Sequence, residues 1–155
     1  MKEYKKAQID MMEMVAEIAR KYHGRLMGRN IAVVMQEEAT RKADKVIHGW
    51  AGLPSPRLRP LLDKKYDFVI CLAADCWASA EKNKREAIVD HELCHCHIDE
   101  KGKPYIRPHD YEEFVEIVDR HGFWRQDFAE RGIQGALGFA GLADVQVGTI
   151  GKGDK

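Results

Sequence analysis

Residues 90–110 read DHELCHCHIDEKGKPYIRPHD, and how this stretch is divided decides the architecture. It gathers four histidines, two cysteines and five carboxylates. Its first part completes a helix that starts near Asn83 and carries Ala87, Ile88 and the HELCH segment. On a helix, positions i and i+4 lie above one another, so His91 and His95 of His91-Glu92-Leu93-Cys94-His95 can both reach one ion. Glu92 is then placed beside the ion, where it can take a proton from a metal-activated water. With seven His and 13 Glu in the chain, this HExxH pattern would arise in roughly 3 of 100 shuffles.

A catalytic zinc ordinarily has three protein ligands and one open position. The next segment, HIDEKGKPYIRP, reads as a hairpin turning at Lys101-Gly102-Lys103, which returns the chain toward the metal. The favoured third ligand is therefore His109, 14 residues beyond His95 and at the entry of a further helix. Glu112 and Glu113 compete for that place and would give a site of two histidines and one carboxylate. Asp90 and Asp110 could each hold the far nitrogen of a ligand histidine, or serve as solvated or capping carboxylates. His97 falls about 140° from the centre of the 91/95 face and should point away. Cys96 also points off that face, and Cys94, though nearer, reads as a packed thiol. His23, His48 and His121 stand alone and read as surface or turn residues. Tyr105, Arg107 and Tyr111 are candidate oxyanion partners by proximity in sequence only.

Outward from this centre, YDFVICLA (66–73) is the strongest strand pattern, apolar and bounded by charge. It is expected at the edge of the sheet, where an extended peptide could pair with it. Residues 4–22 repeat apolar side chains at helical spacing (Ile9, Met12, Val15, Ile18, Ala19), with His23-Gly24 as a stop. Residues 31–35 form a short β-type run, and KVIHGWAG (45–52) reads as another strand, before Pro54, Pro56 and Pro60 impose an irregular connection. A helix is expected over 110–121, with Phe114, Val115 and Val118 on its apolar face and Gly122 as its stop. The fold class is α+β, a small sheet packed on helices, with the core domain over 1–126. Residues 127–155, with Gly132, Gly135, Gly138 and Gly141 at every third position, read as a weakly ordered or docking segment.

Composition agrees with a soluble globular chain: 155 residues, 45% hydrophobic and 32% charged. No apolar run approaches the roughly 20 residues of a membrane span, and the charged N-terminus lacks the apolar block of a secretory signal. A cytoplasmic setting follows, and the four cysteines read as reduced thiols rather than a disulfide framework. Net charge is zero, yet residues 1–65 carry 14 Lys/Arg against 8 Asp/Glu. Such a basic half can mark a nucleic-acid partner, although a solvated face is the commoner origin and no nucleic-acid motif accompanies it.

Three segments, DFVICLAADCW (67–77), REAIVDHELCHC (85–96) and RPHDYEEFVEIVDRHGFW (107–124), resemble the putative phage metallopeptidase family, a group of small HExxH proteins. The arrangement is also similar to SprT-type zinc proteases, with His109 and Phe114 in the places of the later histidine and aromatic residue. The Gly that often follows that histidine is Asp110 here. The resemblance implies a zincin-like fold and a peptidase acting on peptide or protein substrates. Zn²⁺ would be held by His91, His95 and His109, with Glu92 as general base. The motif alone also admits a zinc hydrolase of non-peptide amides, or a non-catalytic zinc protein associated with nucleic acid.

Overall fold

A computed structural model describes residues 2–109 and 114–122. The chain divides into two compact units, residues 1–109 and 110–155. The boundary expected near residue 126 and the glycine-rich segment lie outside the described residues, as do Asp110, Tyr111, Glu112 and Glu113.

The first unit is a mixed α+β structure built on a four-stranded sheet of order β1-β2-β6-β5. Its strands are β1 (Tyr4–Lys6), β2 (Ile31–Gln36), β5 (Gly49–Gly52) and β6 (Phe68–Ala73). β2 and β6 run parallel from Ile31↔Phe68 to Gln36↔Ala73, while β1 and β5 flank them antiparallel. β3 (Thr40–Lys42) and β4 (Lys45–Ile47) make a separate hairpin between β2 and β5.

The expectation that β6 lies at the sheet edge is wrong. Its six side chains are all buried and it pairs on both sides, with β2 and with β5. An uninterrupted FVICLA run is what a strand covered on both faces requires, because both sets of alternating side chains meet protein. On one face Val69 and Cys71 join Ala32, Val34 and Leu58, with Trp50, Leu61, Leu62 and Tyr66 packed against them. β5 approaches β6 so closely at Gly49 that a Cβ there would lie 2.5 Å from the Cys71 carbonyl oxygen. Glycine is therefore needed at this crossing.

Helix α1 runs over Ile9–Tyr22, so the helix expected from residue 4 starts later and its first residues form β1 instead. Its buried face is Met11, Val15, Ile18 and Ala19, whereas Ile9 and Met12, expected on that face, are exposed. KVIHGWAG is likewise not one strand, because the chain turns from β4 into β5 at His48. Helices α2 (Ala74–Ser79) and α3 (Lys82–Cys94) follow β6 as the two expected pieces, and α3 packs against α1 and β5.

After α3 the chain forms the hairpin of β7 (Cys96–Ile98) and β8 (Pro104–Ile106). Its turn is chemically specified. The Asp99 carboxylate accepts the backbone N–H groups of Lys101 and Lys103, each at 2.8 Å, and Gly102 takes φ +82°. In the second unit, α4 spans Val115–His121 and ends at Gly122 with φ +69°. Phe114, as expected, and Ile117 are buried and Val118 is half-buried, whereas Val115, expected on the same face, is exposed.

Candidate metal centre

His91 and Glu92 occupy the last turn of α3, and His95 caps it with helical dihedrals (φ −72°, ψ −23°). Helical spacing therefore extends through His95, and the His91 and His95 rings meet edge to face with centroids 5.3 Å apart. The β7–β8 hairpin then brings the chain back. Its exit is bonded to the helix end, with Arg107 N–H donating to the His95 carbonyl at 2.7 Å. Two residues further on, the His109 ring lies 4.5 Å from that of His95 and 4.9 Å from that of His91.

One nitrogen from each of His91, His95 and His109 lies within 4.8 Å of the other two. His91 Nε2 and His109 Nε2 are 3.0 Å apart. Two nitrogens about 2.0–2.1 Å from one ion at a tetrahedral angle would be about 3.3–3.4 Å apart, so this spacing suits a shared cation with little adjustment. The His95 tautomer is fixed by chemistry. Its Nδ1 faces the Arg107 carbonyl oxygen at 2.6 Å, and since a carbonyl only accepts, Nδ1 carries the proton. The lone pair is left on Nε2, as a metal-ligating imidazole requires. Glu92 is buried, and its Oε2 lies 3.9 Å from His91 Nε2, beside the nitrogen cluster.

The other residues singled out from sequence divide sharply. His97 contacts Tyr105 ring to ring, at 5.9 Å, and does not join the three histidines. Cys71, Cys94 and Cys96 are buried and stand outside any disulfide. Burial, reinforced by the Glu92 charge, pushes Cys71 and Cys96 up to about 12, so neither offers a thiolate nucleophile at neutral pH. Two expectations fail. His23 lies at the turn after α1 but is buried, 1% exposed, rather than on the surface, and Asp90 is buried rather than solvated. Asp90 instead faces His23 Nε2 at 2.6 Å, across 67 residues of sequence. Arg25, one of the cations of the basic half, contacts both His23 and the end of α3. No local spacing announces these contacts, because they depend on α1 packing against α3.

A family model described as "Putative phage metallopeptidase" matches residues 2–132. The chain belongs to that family. The match to this phage metallopeptidase model includes the first 40 residues, which the three resembling segments do not reach. Membership points to a metal-dependent peptidase, and the donor set agrees with it. Comparison with curated proteins gives no match, and neither does comparison with solved structures. A separate cavity of about 680 Å³, lined by Met12, Val15, Leu26, Ile31, Leu62 and Tyr66 among others, contains none of the three histidines.

Proposed function

We propose that the protein is a zinc-dependent peptidase of zincin-like fold, with His91, His95 and His109 as metal ligands and Glu92 as general base. The convergence of the three imidazoles with Glu92 at their side is the observation that carries this reading. Three histidines, with the His95 lone pair directed through Nε2, form a donor set suited to zinc and leave a position for water or substrate. Zinc bound there would supply Lewis-acid polarisation and a readily ionised water. Glu92 accepts the proton of the attacking water and returns it to the leaving amine. Its burial keeps that proton from exchanging freely with solvent. The substrate is a peptide in extended form. β5 rather than β6 borders the sheet on the side that packs against α3, so its outer backbone groups can pair with such a peptide.

The test joins metal analysis to hydrolysis. Wild-type protein is expected to hold about one zinc per chain, and His109→Ala to lose most of it. Glu92→Gln should keep the metal but cleave peptides about 10²–10⁴-fold more slowly. Undiminished zinc in His109→Ala would reject the third ligand and turn attention to Glu112 and Glu113. Unaltered cleavage by Glu92→Gln would reject the general base.

A further inference from the structure

The turn that follows α1 crosses to the C-terminal end of α3. Arg25 Nη2 donates to the Leu93 carbonyl at 2.9 Å and to the Cys96 carbonyl at 3.0 Å, while its Nε reaches the same Cys96 oxygen at 3.2 Å. Its Nη1 lies 2.9 Å from His23 Nδ1. A guanidinium only donates, so His23 Nδ1 accepts. The His23 proton then sits on Nε2, which donates to Asp90 Oδ1 at 2.6 Å.

This proton placement decides what the buried group His23, Asp90 and Cys94 does. Their donor atoms lie within 4.8 Å of one another, close enough to suggest a second metal site. A metal at His23 Nε2 would need the lone pair there, which the neutral ring lacks while Nδ1 accepts from Arg25. The group is therefore a hydrogen-bonded brace. Its location is specific, because a helix leaves its last carbonyls without intrahelical partners. α3 ends at Cys94, and the chain departs into β7 at Cys96. Arg25 supplies the donors for the carbonyls on either side of His95 and sets a positive charge at the negative end of the helix dipole.

We propose that Arg25, oriented by His23 and Asp90, is a positioning residue that fixes the His95 imidazole for metal binding. The inference rests on the assignment of His95 as a ligand. With the Leu93 and Cys96 carbonyls both held, rotation of the backbone segment that carries His95 is restrained, and the Nδ1 bond to the Arg107 carbonyl then orients the ring. Lysine cannot replace this arrangement, because a single ammonium lacks the planar fork that reaches two carbonyls and an imidazole together.

Zinc affinity is measured by chelator competition for wild type, Arg25→Lys, His95→Ala and the double variant, at a temperature where circular dichroism shows each to be folded. Arg25→Lys is expected to weaken zinc about 10- to 100-fold. In the His95→Ala background the same change should alter affinity less than about twofold, because the residue being positioned is gone. If Arg25 only stabilises the fold, its replacement lowers the melting temperature but leaves zinc affinity of the folded protein unchanged. That result, or losses that simply multiply in the double variant, would overturn the proposal. Should Arg25→Lys not fold, Asp90→Asn carries the test. It keeps an acceptor for His23 but removes the charge, and about threefold weaker zinc binding is expected only when His95 is present. Wild-type protein that binds no zinc would overturn the metal assignment itself. Normal wild-type binding with unchanged affinity in the variants would overturn the positioning role alone.

Discussion

A titratable side chain buried in this protein acquires a role only through its partners, and the cysteines illustrate the limit. Cys71 and Cys96 have side chains of the reactive type, yet burial holds both as thiols. Cys76 is partly exposed, and burial together with the neighbouring Asp75 charge raises it more modestly. Alkylation of native protein at neutral pH is therefore expected to modify Cys76 slowly, at a rate that rises with pH as the thiolate fraction grows. Cys71, Cys94 and Cys96 should react only after unfolding. Mass spectrometry of partially labelled protein reads this directly, and two or more rapidly labelled native thiols would contradict it. The contrast with Glu92 is instructive, since that side chain is also buried but lies beside the nitrogen cluster.

At the scale of elements, the site depends on the joints around β6. Asp75, at the start of α2, accepts the backbone N–H groups of Ala39 at 3.0 Å and Cys76 at 2.7 Å, and pairs with Arg41 at 3.2 Å. Burial opposes its charge, but these donors outweigh burial and hold the carboxyl below the ordinary 3.8. Asp75→Ala is expected to cost about 1–2 kcal/mol in urea unfolding at neutral pH. A depressed carboxylate stabilises the fold above its unfolded pKa and loses that contribution as pH falls through its folded value. The gap between wild type and variant should therefore close below about pH 4. A gap that persists undiminished at pH 2 would contradict the assignment. Elements whose cause is local were legible in the sequence: the β7–β8 turn at Lys101-Gly102-Lys103, and the spacing of His91 and His95. Elements set by distant pairing were not. The apolar run of FVICLA announces burial on both faces but not which strands pair with it, and His23 gives no sign of Asp90, because both pairings are decided by distant parts of the chain.

For the molecule as a whole, charge and topology point to where stability and function meet. Part of the basic half is already engaged, since Arg25 serves the end of α3 and Arg41, though exposed, pairs with Asp75, so the excess of Lys and Arg overstates the free outward positive charge. No helix among the described residues is long and apolar enough to cross a membrane. The proposed ligands join parts that the backbone alone connects weakly. Two come from the end of α3, and the third follows a hairpin of three-residue strands. A cation held by all three would close that hairpin onto the helix, so metal binding and stability must be linked. With free zinc at 100 times its dissociation constant, the linkage is worth about 2.7 kcal/mol. For a unit of this size that corresponds to roughly 10–20 °C in melting temperature. Calorimetry with and without a chelator should show this difference in wild type and lose it in His109→Ala. Hydrogen exchange should localise the added protection to residues 95–109, whereas identical melting of the metal-loaded and stripped protein would separate the three histidines from any metal-dependent stability.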